Sequence, residues 1–146
     1  MNCNYLRTMI SAGLMLLVIS VKAQTNIDWQ LVTLNVHDGT NSWNGVEGYC
    51  ALTTCNGSPR LLLKLVNNNP YTVRAGWKDC VMIKGDDSRH PGNFVQDSVT
   101  IPAKSEISGE CGGKHRQLVL DLSDFGTDAE DFNGMVTTDF DFIVIH

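Results

Sequence analysis

The feature that most restricts the fold is the stretch RLLLKLVNNNPYTVRAGWKDCVMI, from Arg60 to Ile83. In its first part Leu61, Leu63 and Leu65 fall on one side and Leu62, Lys64 and Val66 on the other, the period of two that an extended strand imposes. Asn67-Asn68-Asn69-Pro70 then suits a turn, because asparagine tolerates left-handed backbone angles and proline presets its own. Beyond it Tyr71, Val73, Ala75, Trp77, Val81 and Ile83 line one face, with Thr72, Arg74, Gly76, Lys78, Met82 and Lys84 on the other. Leu61, Leu63, Leu65, Val73 and Trp77 are therefore the expected core; a tryptophan aligned with apolar neighbours is read as core, not as a sugar platform. Asp79 interrupts the apolar side, where a bulge is expected, and is not read as catalytic.

The rest of the chain repeats this pattern. Strands are expected at Trp29 to Val36, Gly48 to Thr54, Ser98 to Pro102, Gln117 to Leu122 and in the closing DFDFIVIH. Between them lie the polar loops HDGTNSWNGVEG, GDDSRHPGN from Gly85 to Asn93, and SDFGTDAEDFNG, in which Thr127 to Phe132 is long enough for one helical turn. About seven short strands with polar loops predict an all-β fold, a single immunoglobulin-like antiparallel β-sandwich.

The first residues predict export. Arg7 precedes an apolar run from Met9 to Val21, and Val21-Lys22-Ala23 is a small-residue cleavage pattern, so residues 1–23 read as a signal peptide. The run is shorter than the ~20 apolar residues of a spanning helix, and Cys3 lies away from the cleavage point. Residues 24–146 then form one domain, secreted or periplasmic, without membrane insertion. Without Arg7 and Lys22, nine basic residues face sixteen acidic ones, a net of −7 with no basic cluster, which argues against nucleic acid or anionic membranes as partners. Four cysteines remain, Cys50, Cys55, Cys80 and Cys111; oxidised pairs are the expectation for an exported chain, with three possible connectivities. Cys50 and Cys55 point to opposite faces of an unbroken strand, whereas Cys55 with Cys80 stays open, since folding about the asparagine turn brings their strand ends together.

From Gly45 onward the order GVEGY, TCNG, LLLKLVNNNPYTVRAGW, SVTIPAKSEISGEC and TTDFDFIVI resembles small exported proteins of Bacteroidetes-type bacteria with immunoglobulin-like sandwiches. In that family a cysteine before the leucine strand and one after the "P-A-x-S" hairpin recur. The resemblance implies the pairs Cys55–Cys111 and Cys50–Cys80, and it carries no established activity and no catalytic residue.

Chemistry is sparse. Cys80 or Cys111 acting with His90 or His115 is disfavoured by the even cysteine set. No G-x-S-x-G elbow occurs, and His37, His90, His115 and His146 lack zinc-site spacings. No metal or cofactor is expected, although Asp121, Asp124, Asp128, Glu130 and Asp131 crowd one loop and are weak calcium candidates off the EF-hand offsets. Trp43 and Tyr49, beside Asp and Asn side chains, are the candidates for a ligand loop. The expectation is a non-catalytic binding or structural module, disulfide-stabilised, whose partner is an unknown protein or a glycan. The alternatives are an envelope-glycan hydrolase using loop carboxylates such as Asp128 and Glu130, or a secreted inhibitor-type protein.

Overall fold

The computed structural model describes residues 27–92 and 97–146; the leader read at residues 1–23 lies outside them. Two antiparallel sheets face each other. The first is built on a hairpin of β3 (Val46–Cys55) and β4 (Ser58–Asn67), in register from Val46 opposite Asn67 to Cys55 opposite Ser58. Its two-residue turn is Asn56-Gly57, with φ of 52° and 80°, the positive angles a type I′ turn requires. Along the outer edge of β3 run the short strands β1 (Gln30–Leu31) and β2 (Ser42–Trp43), the latter joined to β3 by a second Asn-Gly turn, Asn44-Gly45. Along the far edge of β4 run β8 (Ser105–Ser108) and β9 (Val119–Asp121).

The second sheet is centred on β5 (Thr72–Ile83), which has β10 (Phe132–Ile145) on one side. On its other side β6 (Asp86–Pro91) and β7 (Asp97–Ile101) lie end to end. The segment read as the loop Gly85 to Asn93 is thus largely strand. Conversely, only two residues of the expected strand Trp29 to Val36 pair as β1. Gln117 to Leu122 holds a three-residue strand between two 3₁₀ turns, Arg116–Leu118 and Leu122–Phe125. The single helical turn expected over Thr127 to Phe132 amounts to one bond, from the Phe132 N–H to the Asp128 carbonyl at 3.2 Å. The segment with the "P-A-x-S" residues is not a hairpin: β7 pairs with β5 and β8 with β4, so Pro102 to Lys104 arches between the sheets.

The core lies between the sheets. Leu61, Leu63, Leu65, Val73 and Trp77 are all buried in it, each at 4 % exposure or less. Burying a side chain of this size contributes roughly 1.5–3 kcal/mol. One flank is closed by a change of partner: β1 pairs with β3, but Thr33 then bonds β10, donating to Met135 O at 3.1 Å and accepting from the Thr137 N–H at 2.9 Å.

The asparagine turn is a hub. Asn67, 1 % exposed, donates through Nδ2 to the carbonyls of Tyr71, Ile101 and Pro102 at 2.9, 3.2 and 3.0 Å, and Oδ1 accepts the Asn69 N–H. Asn69 in turn donates to the carbonyl of Asn44, and Asn68 to Glu47. None of Asn67, Asn68 and Asn69 has a positive φ, so their side-chain amides, not left-handed backbone, explain the run.

Cys55 and Cys111 form a disulfide across 56 residues of sequence. Cys50 and Cys80 do not pair; both are buried free thiols, which corrects the second bridge implied by resemblance and leaves Cys55 with Cys80 unformed. The reason is the face each occupies. Cys50 points into the core from β3, whereas Cys80 is one residue out of phase with Val73, Trp77 and Val81 and points to the outer side of the second sheet.

Candidate functional site: a groove beside Trp43

The groove forms where the chain between β1 and β2 passes β10. After Thr33 bridges to β10, residues 35–40 make a tight loop: Gly39 N–H donates to Asn35 O, and Asp38 Oδ1 accepts from both the N–H and the hydroxyl of Thr40. Opposite this loop β10 is irregular. Its register jumps from Thr138 opposite Lys78 to Asp141 opposite Gly76, so Asp139 and Phe140 share the place facing Trp77. Such a bulge re-aims side chains, and Asp139 takes a φ of 50°. Asp139 reaches Lys78 Nζ at 2.6 Å, while Phe140 packs against the core.

Between loop and bulge lies an open groove of about 380 Å³, lined among others by Trp43, Asn35, His37, Arg89, Thr138 and Asp139. That volume falls within the range of small-ligand sites. Trp43 sits opposite Val46 across the β2–β3 pair and packs against the core edge, half-buried, so its ring is fixed on one side and open to the groove. Asp139 is matched by Lys78. Arg89, exposed on β6, has no hydrogen bond or ion pair among the described residues.

The structure separates the two residues proposed for a ligand loop. Tyr49 is three residues from Val46 on β3 and therefore on the opposite, outer face. There its hydroxyl donates to Glu47 at 2.7 Å, and Lys64 Nζ lies 5.0 Å from its ring and 4.6 Å from that of Trp29. Only Trp43 belongs to the groove.

The acidic loop does not converge. Asp121 accepts from the Ser123 hydroxyl and N–H, and pairs with Arg60, contacts that hold its carboxyl below the ordinary range. Asp128 caps its own turn by accepting from the Glu130 and Asp131 N–H groups. Among the described residues, no three His, Cys, Asp or Glu side chains gather as a metal site, and Asp124, Glu130 and Asp131 are exposed. Of the histidines, His90 bonds Asp86 at 2.8 Å and His37 lines the groove. Cys111 is bridged, and burial raises the thiols of Cys50, to about 12, and Cys80, which makes both poor nucleophiles.

One titrating pair is marked in the sequence by Asp79 alone. Asp79 points inward from β5, where Trp77 Nε1 donates to it at 2.8 Å; burial lifts its carboxyl to about 7, with the hydrogen-bonded Asp97 adding to the rise. Asp97 is raised as well, again chiefly by burial. The signal was present in the sequence as an acid on an apolar face. Arg89 and Asn35 carried no signal, since a loop and an expected loop segment bring them to Trp43.

Comparison with protein-family models, with curated proteins and with solved structures finds no match for this chain. Among the described residues no helix is long and apolar enough to cross a membrane.

Proposed function

We propose that the chain is an exported, non-catalytic binding module that takes a glycan in the groove beside Trp43. The observation that carries this reading is the half-buried Trp43 ring, anchored on the core edge and surrounded by the hydrogen-bonding side chains of Asn35, His37 and Thr138. A flat aromatic face stacks on the apolar face of a sugar ring, and polar neighbours take its hydroxyls. Export, to the periplasm or the medium, is supported by the leader pattern and by the Cys55–Cys111 bridge, which suits an oxidising compartment. The likeness to exported Bacteroidetes-type proteins is part of the same proposal. Its immunoglobulin-like element is one of architecture, two facing antiparallel sheets joined at their ends.

The test is a panel of soluble envelope oligosaccharides measured by calorimetry against the chain and its Trp43→Ala variant. At least one saccharide is expected to bind, and to lose tenfold or more in affinity on the substitution. Saccharide binding that Trp43→Ala leaves intact would move the site elsewhere; an empty panel would remove the glycan reading.

A further inference from the structure

We infer that the ligand presents a single carboxylate to Arg89, which makes it an acidic sugar, a hexuronate or its equivalent. This inference rests on the Trp43 groove being the ligand site. Two charged side chains of opposite sign line the groove, Arg89 and Asp139. Asp139 is already met by Lys78 at 2.6 Å, whereas the Arg89 guanidinium has neither hydrogen bond nor ion pair among the described residues. The unmatched charge in the groove is therefore one cation with a planar fork of donors, the arrangement that takes a carboxylate through two parallel bonds.

The acidity of the whole chain does not oppose this. At physiological salt the screening length is about 8 Å, so acids on other faces contribute little at the groove. The local acid does bear on the choice of anion. Asp139, even with its partner, repels a doubly charged phosphate more than a monoanion, and one free guanidinium balances one negative charge. Trp43 adds the second requirement, an apolar ring face beside the charged group. A carboxylated pyranose meets both, a free carboxylate such as acetate only the first, and a neutral sugar only the second.

The experiment compares twins. Calorimetry on the purified chain uses glucuronate and glucose as monomers, then a uronate-terminated tetrasaccharide and its carboxyl-reduced counterpart; the two pairs separate a free acidic sugar from the end of an acidic polysaccharide. Each acidic probe that binds is expected to exceed its neutral twin by about tenfold. Arg89→Gln should bring the two twins level, and Arg89→Lys should restore only part of the difference, whereas Lys114→Gln, an exposed charge outside the groove, should preserve it. Equal affinity for acidic and neutral twins, both weakened by Trp43→Ala, overturns the carboxylate inference and leaves the groove standing. Binding that ignores both Trp43→Ala and Arg89→Gln, or no binding by any probe, overturns the inference together with the groove reading.

Discussion

At the scale of single residues, the inward Asp79 is the clearest conflict between position and chemistry. It occupies a core-facing place on β5, and burial raises its carboxyl from an ordinary 3.8 to about 7. Such a group holds its proton in the folded chain and releases it in the unfolded one across the interval between those values. Stability from this source is therefore full below about pH 4 and is lost as pH rises through 7. The groups facing it are Asp97 and the Trp77 indole; Thr137 lies opposite on β10. Urea unfolding at pH 5 and pH 8 is expected to show a lower midpoint at pH 8, and Asp79→Asn, which keeps the shape without the charge, should remove most of that difference. Equal pH dependence in the two proteins would refute the assignment. The anomaly was legible in sequence as an acid within an apolar alternation, but its partner Asp97, eighteen positions on, became visible only once β7 lay beside β5. Cys80 was legible in the same way. Counting by two from Trp77 places it with Lys78 and Arg74, away from the core, which already separates it from an inward Cys50.

At the scale of elements, the long strands were readable because alternation over eight or more residues leaves little choice. The short ones were not. The strands β1, β2 and β9 have two or three residues each, too few to show a period, and β6 is a sequence of polar residues, DDSRHP, that pairs along one edge of β5. The two Asn-Gly turns are a hairpin signal, and that at Asn44-Gly45 lay inside a segment read as one loop. The asparagine run did mark a turn, for a different reason from the expected one: Asn67 ties the end of β4 to the start of β5 and to the arch after β7. Asn67→Ala removes the donor from three carbonyls and the acceptor of the Asn69 N–H, and should destabilise the chain by about 3 kcal/mol. Asn67→Asp, which cannot donate when ionised, should do no better at pH 7. Chemical denaturation measures both, and a loss under 1 kcal/mol in each would show that water replaces the amide.

At the scale of the whole molecule, the sandwich and its Cys55–Cys111 disulfide follow from few constraints. The bridge ties the end of β3 to the segment after β8, closing a loop across 56 positions, and in the chain-entropy account such a closure contributes about 4 kcal/mol. Replacing Cys55 and Cys111 together by serine should lower the unfolding free energy by ~2–4 kcal/mol while the transition stays cooperative; unchanged stability would mean that the bridge constrains nothing the core does not already hold. The groove was half legible. Trp43 stood out as an aromatic in a polar loop, but its neighbours come from β6, from the β10 bulge and from the loop at residues 35–40, and only folding brings them together. Tyr49, six residues from Trp43, lies on the other side of the same sheet.

Binding of a glycan beside Trp43 is read most directly from a two-dimensional amide spectrum of labelled chain titrated with the acidic tetrasaccharide. A glycan in this groove should shift the Trp43 indole N–H and the amides of Asn35, His37, Arg89, Thr138 and Asp139 most. Shifts gathered instead at Asp128 to Asp131 or around Tyr49, or a spectrum unchanged at saturating ligand, would contradict it.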